Sequence, residues 1–191
     1  FNIMQKFRFA PSDEWDVTYA FHYSTTSEFP RFDRLLETGS DGKPISAIWN
    51  YGPQLWMMNM VSLDHISSTP FYDNMALRIA IQAFEESRID RNYSGSNRFR
   101  LRSNHERVDA VSANVDFKKD FDLHSLVYGF EYVYNNVQST GSALDIRNSS
   151  TIKVPDRYPQ STWNSAAVFI NYNHRLSSEF NVQSGLRYNH F

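Results

Sequence analysis

The chain has no cysteine among its 191 residues, which excludes disulfide staples and thiolate metal sites and leaves its redox compartment unmarked. No run approaches the roughly 18 apolar residues that a helical membrane span requires, and mean hydropathy is −0.54. An excess of one charge is missing too: 19 Lys and Arg against 21 Asp and Glu leave a formal net charge of −2. So even a balance gives no reason to expect nucleic acid as a partner or strong electrostatic steering. No His-Glu-x-x-His, no Gly-x-Ser-x-Gly and no phosphate-cradling glycine loop occurs, so hydrolase and nucleotide chemistry find no motif. His22, His65, His105, His124, His174 and His190 are scattered without metal-ligand spacing. Asp64-His65 invites comparison with hydrolytic Asp/His pairs, but it lies beside a short turn and reads as turn polarity. Neither an enzyme nor a cofactor is expected.

Aromatic residues are abundant, at 16% with 15 Phe and 11 Tyr, and their placement is ordered. Trp15, Val17, Tyr19, Phe21 and Tyr23 alternate with Asp16, Thr18, Ala20, His22 and Ser24. A period of two is a strand with one apolar and one wet face. The pattern returns in Ile3, Phe7 and Phe9; in Met75, Leu77, Ile79 and Ile81; and in Val111, Ala113, Val115 and Phe117. It continues in Leu126, Tyr128, Phe130, Tyr132 and Tyr134, then in Val168, Ile170 and Tyr172, and in Phe180, Val182, Leu186 and Tyr188. One strand, from about Gln54 to Asp64, is irregular, because Asn59 shares a face with Leu55, Met57, Val61 and Leu63; a bulge there is one reading. Eight strands result.

Their connections alternate in length. Pro11-Ser12-Asp13, Ser67-Ser68-Thr69-Pro70, Lys119-Asp120-Phe121-Asp122 and Ser177-Ser178-Glu179 are tight polar turns. The intervening segments, to about Pro53, from Ser87 to Arg107 and from about Ser139 to Asn164, read as long loops. Strands of ten or more residues, aromatics in rows near strand ends and loops long at one end only predict an all-β, antiparallel, up-and-down transmembrane β-barrel. A soluble sandwich would use strands of about five or six residues. The opening Phe1 to Lys6 already reads as strand, as does Gly185 to Phe191. Both ends therefore look cut within a strand, and residues 1–191 are expected to be a fragment holding about eight strands. A closed eight-stranded barrel with a structural or adhesive role is the alternative.

The expected inner wall carries Lys6, Arg8, Arg78, Glu86, Asp116, Lys118 and Glu131. Arg88, Arg91, Arg98, Arg100, Arg102 and Arg107 crowd the second long segment around Tyr93, Phe99 and His105. Guanidinium groups suit carboxylates and phosphates, and tyrosine suits flat ligands. The ordinary alternatives are a solvated loop or one resting on lipopolysaccharide phosphates.

A resemblance adds to this. Leu126-Val127-Tyr128-Gly129-Phe130-Glu131-Tyr132, then Arg157-Tyr158-Pro159-Gln160-Ser161, then Ser184-Gly185-Leu186-Arg187-Tyr188 resemble, in their order and spacing, the mid-barrel of TonB-dependent outer-membrane receptors of the haem and iron-chelate type. The resemblance implies a barrel of about 22 strands around a plug, in the outer membrane of a Gram-negative bacterium, of which residues 1–191 supply about eight strands and neither the plug nor the remaining strands. It implies active uptake of a scarce ligand, haem or an iron–siderophore chelate, with the TonB complex, membrane lipid and lipopolysaccharide as partners. The expected ligand contacts on the loops are Arg31, Trp49, Tyr51, Tyr93, Arg100, His105 and Tyr158.

Overall fold

The computed structural model describes residues 1–191 and contains one antiparallel sheet. Its strands are β1 (Asn2–Phe9), β2 (Trp15–Thr26), β3 (Phe29–Pro30), β4 (Ser46–Ile66), β5 (Asn74–Asn92), β6 (Arg100–Asp120), β7 (His124–Asp145), β8 (Ser150–Val154), β9 (Ser161–Arg175) and β10 (Asn181–His190). A one-turn helix α1 (Phe32–Leu35) follows β3. The order is β1-β2-β4-β5-β6-β7-β9-β10, with β3 attached to β4 and β8 to β7. Each long strand thus pairs with its neighbour in sequence, which is the up-and-down order. Strands β1 and β10 do not pair with each other, so the sheet stays open, as an arc of a larger barrel does and a closed eight-stranded barrel does not.

Two adjacent positions along the sheet show what divides its faces. Phe9, Val17, Leu63, Leu77, Val115, Phe130, Val168 and Tyr188 lie directly opposite one another across all eight long strands. One residue along, the row is Arg8, Thr18, Ser62, Arg78, Asn114, Glu131, Ala167 and Asn189. The first row is uniformly apolar and faces lipid; the second is mostly polar and faces the lumen. Ion pairs stitch the wet face: Arg8 with Asp16, Arg78 with Asp116 at 3.2 Å, and Arg187 with Glu131. Such half-exposed pairs add little stability, but they keep the wall charged. Asn59 does face lipid, and no bulge accompanies it: the register from Gln54 to Ile66 is unbroken. Its amide oxygen accepts the Tyr19 hydroxyl at 2.7 Å, so the polar group is satisfied where it sits.

The lipid-facing band has two edges. At one end Trp15 stacks on His65 at 3.9 Å, and the row continues through Tyr72, Phe117 and Tyr128 at 5.7, 5.4 and 5.2 Å. This is an aromatic girdle beside the short turns. At the other end the outer face turns ionic: Arg107 bonds Glu85 at 2.8 Å and Asp109 at 2.8 Å. Strand lengths overrun this band. β4, β6 and β7 have 21, 21 and 22 residues, whereas a tilted span needs about 9–11. The segments expected as long loops from Ser87 to Arg107 and from Ser139 are therefore largely strand, with connections reduced to residues 93–99 and 146–149. Above the band both faces meet water. Apolar alternation disappears there while the hydrogen-bonded ladder persists.

Beneath the girdle, the Asp73 carboxylate joins two short turns. It accepts Lys119 Nζ at 2.7 Å, the Asp120 amide at 2.8 Å and the Ser68 hydroxyl at 3.1 Å. These donors, Lys119 foremost, hold its pKa below the ordinary carboxylate value. A carboxylate with a lowered folded-state pKa contributes stability above its unfolded pKa, and that contribution fades as pH falls through the folded value. Asp73→Asn is expected to loosen the turns 67–73 and 121–123 at neutral pH, seen as faster protease cleavage there. Wild type should reach the same looseness only in strong acid. Equal cleavage of both proteins across the pH range would refute the tie.

Candidate functional site

Strand β4 changes face partway along. Between Tyr51 and Gln54 it advances three residues while its partner advances two, from Arg88 to Glu86. The extra residue is a β-bulge, and a one-residue offset exchanges the faces. Below it, odd-numbered Leu55, Met57 and Val61 face lipid. Above it, Trp49 and Tyr51 lie opposite Asp90 and Arg88, on the lumen side. Gly52 makes the turn possible: its φ is +90°, and a Cβ there would stand 2.6 Å from the Ser27 carbonyl oxygen.

That switch assembles a cationic aromatic cluster at the mouth of the lumen. The Arg31 guanidinium lies 5.1 Å from the centre of the Trp49 ring and 5.4 Å from that of Tyr51, and donates to the Tyr51 hydroxyl at 3.1 Å. Arg88 covers the same Tyr51 ring at 4.8 Å. Trp49 meets Tyr51 edge to face at 5.0 Å. Arg31 is anchored by Asp33 through Nε at 2.9 Å and by its backbone amide to the Trp49 carbonyl at 2.9 Å. The Asp33 partnership, with Tyr51 second, raises the Arg31 pKa, and Arg31 in turn lowers that of Asp33. Two fixed cations beside two aromatic faces suit a flat or anionic ligand.

Three of the seven expected contacts, Arg31, Trp49 and Tyr51, are thus brought together, and the structure adds Arg88. The other four are apart. Tyr93 is half-exposed at the start of the 93–99 connection, its amide donating to the Ile45 carbonyl at 2.9 Å. Arg100 faces Asp145 across the ladder. His105 points to the outer face, 3.5 Å from Glu85, and so does not share the mouth with the cluster. Tyr158 lies where residues 154–158 cross the inner side of β7, its amide held by Ser139 Oγ at 3.4 Å and its ring covered by Arg157 at 4.7 Å.

Arg88 is itself paired with Glu86 at 3.2 Å, and most of the other arginines of its segment are likewise engaged by their own surroundings. Arg91 donates to the Arg98 carbonyl at 2.8 Å, Arg102 to Asp90 at 2.7 Å, and Arg98 and Arg147 flank Phe99 at 4.4 and 4.7 Å. Arg147 also holds the Asp145 carboxylate, lowering its pKa to about 2. On the lumen face next to the cluster, Glu106 stands opposite Glu86; both Glu106 carboxylate oxygens are shielded without a hydrogen-bond partner. An apolar recess of about 620 Å³, lined by Phe71, Leu126, Tyr128, Ile170 and Leu186, lies on the lipid face and suits acyl chains rather than a polar ligand.

An open arc of tall strands, apolar outside and charged inside, with a girdle beside short turns, defines the wall of an outer-membrane β-barrel. The model of the outer membrane protein beta-barrel family matches residues 79–191, and the chain belongs to that family. It is located in the outer membrane of Gram-negative bacteria. No curated protein matches the chain. Among solved structures, one described as "Copper transporter OprC" superposes with a TM-score of 0.74 at 9% identity, over 98% of this chain and 27% of that one. At that identity the likeness is one of fold. This chain spans about a quarter of that transporter's length.

Proposed function

We propose that this chain is wall and vestibule of a TonB-dependent receptor that takes up a scarce anionic metal complex, haem or an iron–siderophore chelate. The role is transport rather than catalysis. The observation that carries it is the Arg31–Trp49–Tyr51–Arg88 cluster, turned to the lumen mouth by the bulge in β4. Haem carries propionates beside a flat ring, and many siderophore chelates are anionic with aromatic donors; guanidinium groups over aromatic rings offer both contacts. The open arc and the superposition on part of a much longer chain support a barrel wider than these strands alone could close. The TonB complex would act through a plug within that lumen.

Arg31→Ala and Tyr51→Ala are each expected to weaken binding of haem or a ferric chelate by about tenfold or more, on the scale of a lost charge-assisted hydrogen bond. Growth on that ligand as sole iron source should slow, while Tyr158→Ala changes little. Wild-type binding by both mouth variants would remove the basis of this assignment.

A further inference from the structure

Below the bulge the lumen wall carries soft residues among mostly small and polar neighbours. Trp56, Met58 and Met60 alternate along β4 on the lumen face, together with Ser62 and Asp64. His22 of β2 is the direct cross-strand partner of Met58, and Met4 of β1 is that of His22. Direct partners hold their Cβ atoms about 5 Å apart and diagonal ones about 7 Å, within reach of long side chains. His22, Met58, Met60 and Met4 therefore converge on one patch. Three of the five methionines in the chain stand in two neighbouring rows of the lumen wall, on the face turned away from lipid.

The aromatic side of the patch is fixed in place. Trp56 stacks on Phe84 at 5.7 Å with ring planes 6° apart, and its indole N–H donates to Gln82 Oε1 at 3.2 Å. The His22 ring lies 4.3 Å from the Trp56 ring, and neither of its nitrogens makes a hydrogen bond. Lys6, opposite Ala20 in the Met60 row, is the charged group nearest in register, and no carboxylate faces the patch from these rows. Hard cations need oxygen donors. Thioethers with imidazole select a soft, low-charge metal, and an indole face adds cation–π attraction.

We propose that His22, Met58 and Met60, with Met4 beside them and Trp56 as an aromatic cover, form a binding site for monovalent copper on the lumen wall. The site is separate from the mouth cluster and does not depend on what that cluster binds. Two thioethers at i and i+2 of one strand and an imidazole on the next supply three donors. Such a site would offer Cu(I), or the like-charged Ag(I), a resting place partway down the barrel, and would discriminate against Zn(II), Fe(III) and Ca(II).

The test uses the full-length protein in detergent, titrated anaerobically with Cu(I) against a chromophoric Cu(I) chelator, and with Ag(I) as a redox-inert probe. One equivalent is expected to bind, quenching tryptophan fluorescence, and Trp56→Phe should remove most of the quench. The double variant Met58→Leu/Met60→Leu conserves volume, so folding, read from heat-modifiable gel mobility, should be unchanged. Its Cu(I) affinity should fall about a hundredfold or more, since even outer-shell changes cost about 10–100-fold in metal sites. His22→Ala should act in the same direction. Absence of Cu(I) retention by wild type, or equal affinity in a folded double variant, would overturn the site and assign these residues to packing within the lumen.

Discussion

Ile79→Arg is expected to cost roughly 2–4 kcal/mol of barrel stability, the range for a basic residue near the bilayer midplane of an outer-membrane barrel. Ile79 lies opposite Val61 and Ala113, in the lipid-facing row that also holds Phe7 and Tyr19. The guanidinium would have no partner in that row and too far to snorkel. Ser112→Arg, one residue along and across one strand, is the control. It faces the lumen in the row of Lys6 and Ala80, where water or a plug can solvate a charge, and should be close to neutral. Urea titration of the full-length protein folded into short-chain lipid vesicles separates the two. Equal costs at both positions would mean that the faces have been assigned the wrong way round.

Gly52→Ala should damage the mouth while sparing the barrel. Its φ of +90° disfavours any side chain, and the added methyl carbon would meet the Ser27 carbonyl oxygen at 2.6 Å. Strain of this kind costs on the order of 1–3 kcal/mol, and each 1–2 kcal/mol is a factor of about 5–30 in population. Relief requires the bulge to shift, and with it the lumen orientation of Trp49 and Tyr51. Ligand affinity is expected to fall as far as in Arg31→Ala, whereas insertion and midpoint denaturant concentration stay near wild type, because Gly52 lies above the lipid band. Normal ligand binding by Gly52→Ala would separate the bulge from the site.

How much of this was legible in the sequence depends on where lipid lies. Within the band the solvent differs between faces, so Tyr19, Val61, Ile79 and Ala113 alternate with Ala20, Met60, Ala80 and Ser112, and the strands declare themselves. Asn59 looked irregular only because its partner, the Tyr19 hydroxyl, is 40 positions away in the chain. Above the band no such asymmetry exists, so Arg102, Asn104 and Glu106 carry no trace of being strand. The candidate site was half visible. Arg31, Trp49 and Tyr51 have the right chemistry, but their convergence depends on one extra residue at Gly52-Pro53 that moves Trp49 and Tyr51 inward. His105 has suitable chemistry and the wrong parity. Pairing between β5 and β6, rather than composition, decides that it looks outward.

The height of the palisade bears on how a ligand is met. Mobile surface loops would have to be immobilised at each encounter, at about 0.5–1.5 kcal/mol per ordered side chain. Here the extracellular half of β4 to β7 is already a laddered wall, and only residues 93–99 and 146–149 cap its central hairpins. For the proposed uptake role, this would make the ordering complete before a ligand arrives, so that capture is fast and geometry-selective and adaptability is left to the tips.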